Sequence, residues 1–252
     1  MNTRGIVTLF NKETARFREV WSQTLAAPVV SNLLFLTIFG TVFTAGGRGD
    51  SGAYLQSLIP GLAAMGIMMN AFQNPLGSLI VAKYTNIISE LLTIPLKGFE
   101  IALAYIGAAV LRGVLVGIIT VVVGMLFTSI GFAHPLIIIA FALLLGGIFA
   151  SLGTIFGAVF NDFDQMSMVQ NFIVTPLIYL GGVFFPIGSL PGVAGHIARF
   201  NPIFYLIDGF RYGFLGHSEA ALSLSFAVTI IFFASTFAIA SWIFQTGYRL
   251  KT

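Results

Sequence analysis

Gly113 to Asn161 reads GVLVGIITVVVGMLFTSIGFAHPLIIIAFALLLGGIFASLGTIFGAVFN, 49 residues without a single Asp, Glu, Lys or Arg. As one straight helix this run would extend about 74 Å at about 1.5 Å per residue, more than twice a bilayer core of roughly 30 Å. It must therefore fold back on itself. Turn residues stand near its middle, at Gly131 and at His134-Pro135. Split there, it supplies two apolar helices joined at one face of a membrane.

The rest of the chain repeats the pattern. Uncharged runs also separate Glu19 from Arg48, Asp50 from Lys83, Asp164 from Arg199 and Glu219 from Arg249. Of the 252 residues, 57% are hydrophobic and 8% charged, with a mean hydropathy of +0.96. A soluble domain carries roughly 25% charged residues, so this chain cannot cover itself with a water-facing surface. The reading is an all-α membrane protein with six transmembrane helices, near 25–45, 55–80, 101–130, 134–160, 168–188 and 222–246. No remaining segment is long or polar enough for a second globular unit, so 1–252 reads as one domain. Cysteine is absent, which excludes disulfide and thiolate chemistry.

Charge placement suggests an orientation. Arg4, Lys12, Arg16, Arg18, Lys83, Lys97, Arg249 and Lys251 fall on one side of a six-span chain, against Arg48, Arg199 and Arg211 on the other. Excess Lys and Arg mark cytoplasmic loops, so both termini are expected in the cytoplasm. The segment 1–24 has no apolar core before Leu25, and cleavage as a signal peptide is not expected. Ile6, Phe10, Phe17 and Trp21 recur there at helical spacing, opposite Lys12, Glu13, Arg16 and Glu19. That pattern suits an amphipathic helix lying in the membrane interface. An ordinary solvated lead-in helix would give it too.

Several segments together resemble the ABC-2 family of ATP-binding-cassette transporter permeases. They are YLGGVFFP at 179–186, Asn201-Pro202, DGFRYGFLG at 208–216, ELLTIPL at 90–96 and IPGL at 59–62. They occur in the family's order along essentially the whole chain, and look most like the bacterial drug, lipo-oligosaccharide and surface-polysaccharide exporters. The resemblance implies a half-transporter in the inner (plasma) membrane. Two six-span subunits, expected to be a homodimer, would meet above two cytoplasmic ATPase subunits. The chain itself has no G-x-x-x-x-G-K-[ST] phosphate loop. ATP and Mg²⁺ are thus expected in the partner ATPase, with no cofactor on this chain and no nucleic-acid partner.

Three groups of residues acquire roles from the residues and the resemblance together. The stretch 83–98 mixes polar and apolar residues in a short amphipathic pattern ended near Pro95. By resemblance it is a coupling helix seated on the ATPase, through Asn86, Ile87, Ser89, Glu90, Leu91, Leu92 and Pro95. A helix resting on lipid headgroups would show the same pattern. Asp162 and Asp164, in the short acidic link between spans four and five, form a second candidate contact. Polar side chains inside a span usually face protein or water. Asn70, Gln73, Asn74 and Ser78 share one stripe of the second span; Gln170, Asn171, Thr175 and Tyr179 share one of the fifth. The family lines its pathway with these two spans, whereas helix–helix hydrogen bonding would explain the stripes equally. The segment 190–216 is too polar for a seventh span and too apolar for a free loop. It reads as two short re-entrant helices broken at Asn201-Pro202, with Asp208 and Arg211 placed to neutralise each other at i,i+3. The family uses such a pair as an outer gate; a structural lid is the alternative. Gly113-x-x-x-Gly117 and Gly153-x-x-x-Gly157 read as close helix-packing motifs.

Catalysis finds little support. His134, His196 and His217 are scattered without metal-ligand spacing, and Asp162 and Asp164 have no nucleophile beside them. An ion-coupled secondary transporter would want carboxylates well inside the spans, and an intramembrane lipid-modifying enzyme would want a catalytic cluster. A membrane-assembly factor is the remaining alternative. The cargo expected from the resemblance is lipidic, glycolipid or hydrophobic.

Overall fold

Among the residues that the computed structural model describes (2–19, 21–45, 51–88, 94–189 and 192–250), every regular element is helical. In chain order these are α1 (Thr3–Glu19), α2 (Trp21–Ala45), α3 (Ser51–Tyr84), α4 (Gly98–Gly124) and α5 (Pro135–Val159). Then come α6 (Phe163–Val169), a π turn (Gln170–Val174) and α7 (Thr175–Leu180), which follow one another without a break. A 3₁₀ turn (Ile187–Ser189), α8 (Val193–Phe200), α9 (Pro202–Leu215) and α10 (Leu222–Thr246) complete the fold.

Among the described residues, four helices are long and apolar enough to cross a membrane: Gly52–Tyr84, Gly98–Gly124, Pro135–Val159 and Leu222–Thr246. α2 adds a shorter apolar stretch, Ala26–Val42. The helix over 163–180 extends about 27 Å at helical rise. The long uncharged run folds back where its turn residues stand. α4 ends at Gly124, short of the expected 130, and α5 begins at Pro135 with His134 as its N-cap. Proline suits that first position because its missing N–H has no intrahelical acceptor there. The fifth helix likewise ends at Leu180 rather than near 188. Gly181 and Gly182, the latter at φ +90°, turn the chain back in a conformation that side-chain-bearing residues resist.

α3 is the centre of the molecule, and glycines let its neighbours approach. Gly113 and Gly117 of α4 lie against Ile67. Gly153 of α5 lies on the Phe72 carbonyl, and Gly157 lies against Leu76 and Leu79. Both small-residue motifs therefore pack onto α3, with Leu62, Ala63, Ala64, Met68, Ala71 and Phe72 fully buried along it. The same contacts show which helix ends meet. Gly124 meets Ile59, Gly98 backs onto Gln245, and Gly213 of α9 meets Ile138. One end thus gathers the ends of α3, α5 and α10 with the starts of α4 and α6. The opposite end gathers the start of α3 with the turn after α7.

α1 packs against the first turns of α4: the Asn2 N–H donates to Glu100 at 2.8 Å, and the Phe10 ring faces Gly107. Helical periodicity put Glu13 on the polar face, and here the structure differs. Glu13 is 4% exposed and accepts a hydrogen bond from Ser78 of α3 at 2.9 Å, with Arg16 at 4.0 Å. Ile6 and Phe10 are half-buried as that face required, while the side chains of Phe17 and Trp21 lie outside the described residues.

Candidate functional site

The polar stripe of α3 divides among three environments. Asn70 and Gln73 line a cavity of about 490 Å³ between α2, α3 and α4, together with Asn32 and Arg112. Asn32 donates to Thr120 at 2.7 Å, and Asn70 donates to the Gly66 carbonyl one turn back at 3.1 Å. Asn74 accepts from the Arg112 guanidinium at 3.3 Å. Ser78, further along, is spent on Glu13 of α1. Arg112 stands near the middle of α4, about 21 Å along the helix from Gly98 and about 18 Å from Gly124. A guanidinium at the centre of a spanning helix costs about 2.5–3.5 kcal/mol on insertion scales, so its polar surroundings offset a real penalty.

Below the stripe, the last turn of α3 is tied to the link between α5 and α6. Lys83 is 7% exposed, and its Nζ donates to the carbonyls of Ala158 at 2.6 Å and Phe160 at 2.9 Å, and to the Asn161 side chain at 3.2 Å. An ammonium here satisfies carbonyls that the end of α5 leaves open and complements the negative end of its dipole. The next residue, Tyr84, donates to Asp162 at 3.0 Å and stacks on Phe163, rings 6.0 Å apart and 6° from parallel. Asp162 is therefore engaged by α3, whereas Asp164 is exposed. Of the expected coupling residues, Asn86 lies in the turn after α3 in a left-handed conformation (φ 57°), which Asn tolerates better than most residues. Ile87 and Pro95 are exposed beside it, and Ser89, Glu90, Leu91 and Leu92 lie outside the described residues.

The stripe of the fifth helix is differently placed. Gln170 and Thr175 are half-buried; Asn171 and Tyr179 are exposed, the latter packed edge-on to Phe184 at 5.1 Å. Around them Phe172, Ile173, Leu177 and Leu180 are exposed as well. The stripe also carries the π turn, where the Thr175 N–H reaches back five residues to the Gln170 carbonyl. Pro176 follows directly and has no N–H to continue the α ladder. Nothing in the periodicity announced that turn; the proline was its one signal. Such turns concentrate at functional positions in helices.

At the opposite end, α8 and α9 meet at Asn201-Pro202, where the sequence placed the break. Asn201 accepts from the Ile203 N–H at 3.1 Å, capping α9, and donates to the Leu177 carbonyl at 2.6 Å, hooking α9 to α7. Pro202 occupies the first position of α9. Asp208 and Arg211, however, form no ion pair with each other among the described residues. The Asp208 carboxylate accepts the N–H groups of Glu219 and Ala220, both at 3.0 Å. Arg211 donates to the carbonyls of Gly182 at 2.7 Å and Ser57 at 3.2 Å. Each charge is satisfied by backbone: Asp208 by amides of the link before α10, and Arg211 by a carbonyl of the turn after α7 and one within the second turn of α3. Glu219 continues the network by accepting from Ile187 and Gly188. Sequence reasoning gave Glu219 and Tyr84 no role and read Lys83 only as a charge opening the 83–98 stretch, since each acts through a distant partner.

Comparison with known proteins places this architecture. A family model described as ABC-2 type transporter matches residues 4–215. The chain is 36% identical over 252 residues to the inner membrane transport permease YadH of Escherichia coli K12, covering 98% of this chain and 97% of the relative. It is 26% identical over 231 residues to nodulation protein J of Rhizobium leguminosarum bv. viciae, covering 88% of each. Nodulation protein J of Sinorhizobium fredii is 25% identical over 234 residues, covering 89% of this chain and 88% of the relative. With the match running through α3, the fifth helix and the Asn201-Pro202 break, the chain belongs to the ABC-2 type transporter family as a membrane transport permease.

Proposed function

We propose that this permease is the membrane subunit of an ATP-driven exporter, working as a dimer of two copies over two copies of a separate cytoplasmic ABC ATPase. ATP and Mg²⁺ bind in that ATPase. The six spans are α2, α3, α4, α5, the helix over 163–180, and α10, within one domain over 1–252. Both termini are cytoplasmic in the inner membrane, α1 lies at the cytoplasmic interface, and α8 with α9 forms a re-entrant outer gate around Asn201, Pro202, Asp208 and Arg211. The cargo is lipidic, glycolipid or hydrophobic.

One observation carries this reading. The end of α3 is tied by Lys83 to the end of α5 and by Tyr84 to the base of the fifth helix, the other span with a polar stripe, at the bundle end that also carries the 83–98 loop and Asp162. A partner pushing on that loop would move both spans together. The exposed face of 163–180, polar at Asn171 and apolar at Phe172, supports a role in meeting the second copy and lining the path between them. The test is co-purification of the full chain with its ATPase, followed by ATPase rates in vesicles carrying lipid, glycolipid or hydrophobic drug. A stable complex whose ATPase is stimulated by one cargo class is expected; failure to retain any ATPase overturns the proposal.

A further inference from the structure

The cavity between α2, α3 and α4 has a mixed lining. Asn32, Asn70, Gln73 and Arg112 supply polar groups, and Phe35 and Met65 supply apolar surface on the same helices. Asn70 and Gln73 stand near mid-length on α3 and Arg112 on α4, while Ala27 and Pro28 carry the cavity towards the start of α2. Not all of its hydrogen-bonding capacity is used internally. Gln73 makes no hydrogen bond among the described residues, and its amide stands in the cavity wall beside Asn70. Asn32 and Asn70 line the same space and each spends one amide N–H on a protein acceptor, so each NH2 group keeps a second donor. At about 490 Å³ the cavity falls within the range of small-molecule sites.

These features restrict the ligand. A purely apolar molecule would strand the amides and the guanidinium against hydrocarbon, which is unfavourable. A small hydrophilic solute would leave Phe35 and Met65 without an apolar partner. A planar guanidinium with amide donors beside it suits a phosphate group, which accepts several hydrogen bonds at once. We propose that this cavity is an amphiphile-binding site: Arg112 and Gln73 hold a phosphate headgroup while Phe35 and Met65 receive the first part of its hydrocarbon tail. This deepens the exporter reading and rests on it for its biological meaning. The binding itself requires neither ATP nor the ATPase.

The test uses the full chain, purified and delipidated, with bound molecules counted by native mass spectrometry. Three probes are titrated: lysophosphatidic acid, lysophosphatidylcholine of equal chain length, and inorganic phosphate. Saturable binding of one lysophosphatidic acid per chain is expected, at least roughly tenfold tighter than the choline ester, whose phosphate carries one charge fewer and a bulky cation. Arg112→Gln should bring the two lipids level, and Arg112→Lys should fall between, keeping the charge and losing the fork. Met65→Trp, which fills space at the apolar part of the lining, should weaken both lipids. Equal binding of lysophosphatidic acid by wild type and Arg112→Gln overturns the proposal. So does inorganic phosphate binding as tightly as the lipid, which would mark a site for the free anion. If Arg112→Gln does not insert, Gln73→Leu and Met65→Trp decide: unchanged lipid binding by both overturns the site. Loss of the ATPase partner with lipid binding intact would defeat the exporter reading alone, and the converse result would defeat this one alone.

Discussion

α3 and the helix over 163–180 carry similar polar stripes and end in different situations. On α3, Asn74 is bonded to Arg112 and Ser78 to Glu13, and the helix is wrapped by α4 and α5 at glycine contacts. On the fifth helix, Asn171 and Tyr179 are exposed beside Phe172, which is 78% exposed. Polar residues at helical spacing thus act within the subunit in one place and face outward in the other. A polar stripe marks a face that is not meant for lipid; its neighbours decide whether it works inside the chain or beyond it.

Four substitutions sharpen or break that contrast. The largest effect is expected from Gly153→Ala. Its new Cβ would press into the Phe72 carbonyl and force α5 off α3, at about 3 kcal/mol. Thermal-stability measurements in detergent should show a loss of folded monomer; an unchanged melting point would mean the two helices are not so close. Next, Lys83→Met leaves the open carbonyls at the end of α5 without their donor and should cost about 2 kcal/mol. In the assembled transporter it should also separate ATP hydrolysis from transport, measured side by side in vesicles.

The third and fourth form a matched pair. Asn74→Leu removes one acceptor of the Arg112 guanidinium and should cost about 1 kcal/mol of stability in the subunit alone. Asn171→Leu alters an exposed position and should stay within about 0.5 kcal/mol of wild type. Its effect should appear instead in dimer yield on size exclusion and in export. Equal stability losses from the two would dissolve the distinction between the helices.

Much of the fold was legible because its signals are local. Uncharged runs measured against bilayer thickness located the apolar helices, and Gly131, His134-Pro135 and Asn201-Pro202 marked turns that the structure places where expected. Where expectation and structure part, the cause is a partner distant in sequence. Glu13 looked solvent-facing on its own helix and is buried because α3 brings Ser78 beneath it. Asp208 and Arg211 looked like a pair and are drawn apart by the backbone at 219–220 and at 57 and 182. Lys83 read as a loop charge, yet it ends α3 by capping α5 some 75 residues further along.

By itself, then, the sequence determined that this chain lives in lipid, that its segments are helical and that it belongs among ABC-2 permeases. Hydrophobicity and turn chemistry act over one helix length, and a bilayer makes internal backbone hydrogen bonding compulsory. Only the tertiary structure decided which polar groups are spent inside the subunit. It also decided that α3 is the common packing partner, and that Arg112 lines a cavity of mixed lining between α2, α3 and α4. Those outcomes depend on which helix comes to lie against which. Helical periodicity states the direction of a face and never the identity of what meets it.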